Sequence, residues 1–179
     1  MDIVSRRAHV HQLRALLEPT IEQLGLELTG IEIAGDPTGP VMRVYVDTPQ
    51  GATISDCVRA THAIGPLLDV EDPLPTAYRL EVSTPGIDRL IQRPQDFARY
   101  DGLKVRLRTG FGKSRKRAQG VLRGITDAFL NLEVPDGTGF KVRQFPLDEI
   151  DQVRLDLEPD EYAALDARRL AAQEAPHDQ

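Results

Sequence analysis

YRLEVSTPGIDR, residues Tyr78 to Arg89, joins a half-buried strand, a tight turn and a charged exit. Tyr78, Leu80 and Val82 alternate with Arg79, Glu81 and Ser83, the period-two pattern of a strand with one face in a core. Pro85-Gly86 then predicts a type II turn, because proline presets its first central position and glycine accepts the positive φ of its second. Ile87-Asp88-Arg89 leads into a stretch of quite different charge. Glu81, Ser83, Pro85, Gly86, Asp88 and Arg89 are therefore the candidate junction between two domains.

Upstream, Val10, Leu13, Leu16, Leu17, Ile21 and Leu24 have the spacing of an amphipathic helix, with Pro19 expected to kink or interrupt it and Gly25 to end it. Leu26 to Ile33 reads as a strand, the Gly35 to Pro40 run as a loop, and Val41 to Asp47 as a second strand forming a hairpin with the first. Thr53 and Asp56 form a capping box ahead of a second helix whose apolar face is Ile54, Cys57, Val58, Ile64, Leu67 and Leu68. Asp72-Pro73-Leu74-Pro75 breaks the chain before the third strand. The order is α-β-β-α-β, and two helices stacked on one face of a three-stranded sheet is the simplest way to bury these stripes. That order is KH-like. Yet a KH module clamps RNA with a GxxG loop, and no such tetrapeptide occurs in the chain.

Downstream the period shortens. Leu103 to Arg108, Gly120 to Ile125, Phe129 to Val134, Phe140 to Phe145 and Asp151 to Leu155 are short alternating runs separated by Gly- and Asp-containing turns. Five such strands predict a small SH3-like, Sm-like barrel. Pro159 to Gln173 is rich in Ala, Leu, Glu and Arg and reads as a helix. The expected domains are 1–90, 91–157 and a helical extension at 158–179.

The net charge of −6 is unevenly spread. Met1 to Ala98 carries 8 Lys/Arg against 14 Asp/Glu, Arg99 to Ile125 carries 9 against Asp101 alone, and Thr126 to Gln179 carries 5 against 13. A basic block inside an acidic chain points to a localised polyanion site. Arg99, Lys104, Arg106, Arg108, Lys113, Arg115, Lys116, Arg117 and Arg123 compose it, set against the plainer reading that barrels expose one charged strand face for solubility. Aromatics near it are few (Phe97, Tyr100, Phe111), so phosphate or shape recognition, or docking to a protein embedded in RNA, fits better than base readout.

Catalytic chemistry finds no footing. Gly112-Lys113-Ser114 ends like a phosphate loop, but residue 107 is Leu where that motif needs glycine, and the tripeptide lies between strands. His9, His11, His62 and His177 have no partners at metal spacing and read as surface residues. Cys57 falls on a helix's apolar stripe and reads as a small buried hydrophobe. Asp69, Glu71 and Asp72 lack the spacing of a calcium loop. No catalytic residue, metal ligand or cofactor site is expected. With one cysteine there is no internal disulfide, which fits a reducing compartment. MDIVSRRAHVHQL lacks the apolar run of a secretory signal, and no membrane-spanning segment is expected, so the location is read as cytoplasmic.

The chain resembles the RimP family of ribosome maturation factors. LEVSTPGIDR (Leu80 to Arg89) and LDVEDP (Leu68 to Pro73) carry the resemblance, joined by LGLELTGIEI (Leu24 to Ile33), RVYVD (Arg43 to Asp47) and DEIDQVRL (Asp148 to Leu155). It spans about residues 8–156, although the family pattern often has proline after Arg89, where this chain has Leu90. The resemblance implies a non-enzymatic assembly factor for the small (30S) ribosomal subunit. Its partners would be the immature subunit, the ribosomal protein beside the decoding centre, and the ribosomal RNA backbone. A monomer is expected. On this reading Lys104, Arg106, Arg108, Lys113, Arg115, Lys116, Arg117 and Arg123 are the candidate contacts to ribosomal RNA and protein. The alternative is a free-standing RNA-binding module acting on non-ribosomal RNA, which should bind naked RNA tightly.

Overall fold

Helix α1 (Ile3–Gln23) leads into strands β1 (Glu27–Asp36) and β2 (Gly39–Asp47), helix α2 (Ile54–Glu71) and strand β3 (Arg79–Ser83). After these come α3 (Pro94–Arg99), β4 (Lys104–Thr109), β5 (Lys116–Ile125), β6 (Phe129–Asp136), β7 (Gly139–Pro146), a 3-10 turn (Leu147–Glu149), β8 (Ile150–Leu155) and α4 (Pro159–Glu174). This computed structural model describes residues 3–110 and 114–174, and the side chains of 8–35, 37–110 and 114–167. The chain forms two compact units that meet in sequence at Pro85 and Gly86.

The first unit has the α-β-β-α-β order read from its sequence, on a sheet ordered β1-β2-β3. β1 and β2 are an antiparallel hairpin, and β3 returns parallel to β2 after the α2 crossover. Leu13, Leu17 and Ile21 recur every fourth residue and are buried against Leu28 and Ile31 of β1, Met42, Val44 and Val46 of β2, and Ala60, Ile64 and Leu68 of α2. Tyr78, Leu80 and Val82 pack on this core, as their alternation predicts. A bulge between Leu28 and Gly30 shifts the phase of β1, so Leu28 and Ile31 both point inward. The residue it enfolds, Thr29, is buried and donates its hydroxyl to the Tyr45 carbonyl, 3.1 Å away.

α1 ends as expected: Gly25 takes φ +74°, its N–H reaches the Glu22 carbonyl, and the Leu26 N–H reaches Ile21. Pro19 does not interrupt the helix, which runs on to Gln23. The capping box of α2 is present too. Asp56 Oδ2 accepts from the Thr53 N–H at 2.8 Å, and Thr53 Oγ1 accepts from the Asp56 N–H at 3.2 Å. The buried face of α2 differs from the sequence expectation, however. Ala60, Ile64 and Leu68 form it with Cys57 packed beside them, while Ile54 is 85% exposed and Val58 about half exposed. Ile54 heads the helix's first turn, which lies beyond the sheet-facing row set by the i, i+4 positions.

In the second unit all five expected strands are present, β5 starting four residues earlier than its alternation predicts, in one antiparallel sheet ordered β7-β6-β5-β4-β8. Barrel closure, expected from five short strands, is not found among the described residues: β7 and β8 stand at opposite edges. The inner face carries Val105 and Leu107, Leu122, Leu130, Leu132 and Val134, with Val153 and Leu155. Gly120 is required here, since a Cβ would stand 2.5 Å from the Glu133 carbonyl oxygen.

The junction is where the expectation fails most. Gly86 does not adopt the positive φ of a type II turn, and the chain turns instead at Ile87-Asp88. Arg89 is not a solvated exit but is buried, its Nη2 donating to the Tyr162 hydroxyl at 3.1 Å. The segment docks on the outer edge of β8. The Leu155 N–H donates to the Arg89 carbonyl, the Ile91 N–H donates to the Val153 carbonyl, and Leu90 bridges Arg154. Backbone hydrogen bonding to β8, rather than proline and glycine geometry, sets the direction of the chain.

α3 is not evident from periodicity. It is held by a buried pair in which Arg93 donates from Nε to Asp96 Oδ2 at 2.8 Å and from Nη2 to Oδ1 at 2.6 Å. Removing Asp96 takes its carboxylate away from a buried guanidinium, so Asp96→Ala should destabilise the second unit by about 3–5 kcal/mol in denaturant titration. A loss below about 1 kcal/mol would place the pair among surface contacts.

Thr53 first, then Arg59, holds the Asp56 carboxyl down at about 2 from 3.8. A depressed carboxylate stabilises the fold above its unfolded pKa, and that contribution disappears as pH falls toward the folded value. Asp56→Asn should therefore melt earlier than the parent above pH about 4, and the two curves should converge as pH approaches about 2. A constant gap across that window would mean that the cap acts through shape alone.

Candidate functional site

The basic block divides once the strands pair. Cross-strand partners share a face, which puts Lys104, Arg106 and Arg108 of β4 beside Arg117 and Gln119 of β5 and Gln152 and Arg154 of β8. These strands also bring acids that the 99–125 stretch lacks. Lys104 Nζ lies 3.5 Å from Glu161, and Arg106 Nε 3.1 Å from Asp156. Asp88 Oδ2 stands 3.7 Å from Arg106 and 3.4 Å from Arg154. Arg108 Nε donates to Asp151 at 2.6 Å, and the Asp151 side chain is only 1% exposed. Gln119 donates to Asp156 as well.

These pairs are unequal. Exposed pairs such as Lys104 with Glu161 contribute about 0–1 kcal/mol each, so a phosphate could displace their carboxylates. Arg108 is different. Freeing it would leave the buried Asp151 without that partner, which makes Arg108 a structural cation first. The Glu161 carboxyl is held low, chiefly by the Glu158 N–H at 3.0 Å and then by Lys104.

Arg123 belongs to another neighbourhood. Two hydrogen bonds tie it to Glu133, at 3.1 and 3.3 Å, and this carboxylate, with Asp101 further off, raises its pKa. What remains of the block among the described residues is Arg99 at the end of α3 and the run Arg115, Lys116 and Arg117, all exposed and without a carboxylate partner. Lys113, also expected here, lies outside the described residues. β4 is followed by Gly110, whose φ is +72° and whose N–H donates to the Glu149 carbonyl at 3.0 Å. A Cβ on Gly110 would run into the Ser114 carbonyl. Arg115, Lys116 and Arg117 thus form a solvated cationic run at the start of β5.

The junction residues serve their own sheets. Glu81 receives Arg43 Nε at 2.8 Å and Arg79 Nη2 at 2.9 Å, and these two hold its carboxyl low, Arg43 first. The Ser83 hydroxyl donates to the Thr84 carbonyl. Pro85 and Gly86 make the link, and Asp88 and Arg89 dock on β8 as described above.

No group of three or more His, Cys, Asp or Glu among the described residues could hold a metal. His9, expected at the surface, is half-buried, and its Nε2 is enclosed without a hydrogen-bond partner. His11 and His62 are exposed, and His177 lies outside the described residues. Burial, with Asp56 behind it, pushes the Cys57 thiol up and keeps it protonated at neutral pH. Among the described residues no helix is long and apolar enough to cross a membrane.

Residues 16–88 match the family model of the RimP N-terminal domain. This match supports membership of the RimP family. RimP proteins are ribosome maturation factors, a non-enzymatic family associated with the small ribosomal subunit. The matched stretch takes in the strand and turn of YRLEVSTPGID, so the resemblance read from those residues holds.

Two features escape the sequence. The first is an open edge strand: β7 is exposed along most of its length, with Phe140 72% and Val142 56% exposed. The alternation of FKVRQF marks two faces but not which is inner, and Leu132 pairing with Arg143 puts the cations on the core side. The second is a groove beside α3, whose walls come from segments about 30 residues apart in sequence.

Gly110→Ala must place a side chain in left-handed backbone and against Ser114, so it should cost about 1–2 kcal/mol or more in denaturant unfolding. Parent-like stability would show that the hairpin does not hold this conformation.

Proposed function

We propose that this chain is a non-catalytic assembly factor for the small (30S) ribosomal subunit. It binds the immature particle through ribosomal RNA and through the ribosomal protein beside the decoding centre. The RimP N-terminal domain carries the reading. The Arg115-Lys116-Arg117 run supports its RNA half, because solvated cations release counterions from a phosphate backbone without first breaking internal pairs. Lys104 and Arg106 stand behind them as exchangeable contacts, and Lys113 extends the run in sequence. Arg108 and Arg123 take secondary places, because their carboxylates hold them more firmly.

In the same proposal the five-stranded sheet is an SH3-like, Sm-like module and the α-β-β-α-β unit is KH-like, without the GxxG loop. The functional divisions are 1–90, 91–157 and the extension 158–179. The protein acts as a cytoplasmic monomer and needs no cofactor.

Sucrose-gradient fractionation tests the assembly role. The protein should co-sediment with small-subunit precursors, and its deletion should slow their maturation. Neutralising Arg115, Lys116 and Arg117 together should weaken association. It should also flatten the log–log salt dependence by a slope of about two, since each phosphate no longer neutralised removes roughly 0.7–0.9. An unchanged slope removes the hairpin from the RNA interface. Tight binding to naked non-ribosomal RNA without particle association would favour the free-standing module.

A further inference from the structure

The groove beside α3 has a volume of about 860 Å³. Its walls are Pro94, Phe97 and Ala98 of α3 on one side and Arg123 to Asp127, from the end of β5 and the turn after it, on the other. Leu147 lines it as well, and Asp101 follows α3. The turn is fixed: the Thr126 N–H donates to the Phe129 carbonyl at 2.8 Å, and the Leu147 N–H to the Ala128 carbonyl at 2.9 Å. The short helix α3, anchored by the buried Arg93–Asp96 pair, opposes it. The walls are therefore held before any ligand arrives, which lowers the ordering cost of binding.

Its charge is opposite to that of the 115–117 hairpin. Arg123 is paired with Glu133 and feels the charge of Asp101 as well, while Asp127 has no cationic side-chain partner among the described residues, so the two acids of the lining outnumber its one cation. The pocket thus combines an apolar lining from Pro94, Phe97, Ile125 and Leu147 with a net negative charge from Asp101 and Asp127. Phosphates would be repelled, and a leucine-like side chain flanked by lysine or arginine would satisfy both features.

We propose that this groove docks an apolar-and-basic segment of a partner protein. For the partner's identity the proposal rests on the assembly reading, in which a basic ribosomal protein is bound; the groove's chemistry stands apart from it. The segment lies extended between α3 and the β5–β6 turn, its apolar side chain against Phe97 and Ile125 and its cation between Asp101 and Asp127.

The probe is a short capped peptide alternating leucine and lysine, titrated into the ¹⁵N-labelled full chain. Amide shifts should centre on Ala98, Asp101 and Gly124 to Asp127. Ala98 is exposed, so Ala98→Trp fills the groove without touching the core and should weaken binding by on the order of tenfold. The double variant Asp101→Asn with Asp127→Asn should weaken it several-fold and reduce its salt dependence. Shifts centred elsewhere, equal binding of a glutamate-for-lysine peptide, or oligouridylate perturbing the same groove amides would each overturn the proposal. Gradient sedimentation of Ala98→Trp separates the two readings. Peptide binding unaffected by the variant overturns the groove and leaves particle association standing, whereas peptide binding abolished in it supports the groove whatever the gradient shows.

Discussion

The docking of Arg89 to Ile91 on the outer edge of β8 is the constraint from which the second unit follows. Two backbone hydrogen bonds of 2.9 Å cover a sheet edge that would otherwise be open, and they bury Leu90 and Ile91 as they do so. An exposed edge invites pairing with other chains, so covering β8 confines that exposure to β7. The same docking aims Asp88 at Arg106 and Arg154, and it delivers the chain to Arg93, where the buried pair with Asp96 starts α3. One short segment therefore sets the charge on one sheet face and the position of a groove wall.

Much of the fold is legible because it is local. Alternation locates β4 to β8 to within a few residues, with β5 starting four earlier than expected, and the capping box of Thr53 and Asp56 places the start of α2. What fails is non-local or short. α3 is only six residues and has no period to show, though Pro94 at its first turn with Asp96 two positions on is a readable start signal. Pro85-Gly86 permits a type II turn without requiring one. Hydrogen bonds to β8, formed across more than 60 residues, decide the matter.

The basic block shows the same limit in electrostatic form. Nine cations against one acid is a fact about neighbours along the chain, and a field is made by neighbours in space. Antiparallel pairing and the return of the chain at 147–162 set Asp151, Asp156 and Glu161 against β4, so its three cations are already partnered. The run at 115–117 escapes because it sits at the end of the pairing, where Thr109 meets Lys116. Among the described candidate residues, only Arg115, Lys116 and Arg117 therefore stand clear of carboxylates, while Lys104 and Arg106 are held in exposed pairs.

A charge separation of a different kind then emerges within one unit. Among the described residues the hairpin presents cations without carboxylate partners, while the groove beside α3 presents acids beside an Arg123 already bound to Glu133. Two surfaces of opposite sign on one sheet would repel each other's ligands, so RNA and a basic protein segment would be sorted to separate places rather than compete. Such sorting needs no moving part: it follows from which strands carry the acids. An adaptor that must hold a polyanion and a polycation together gains from this arrangement, because the two ligands would otherwise neutralise each other first.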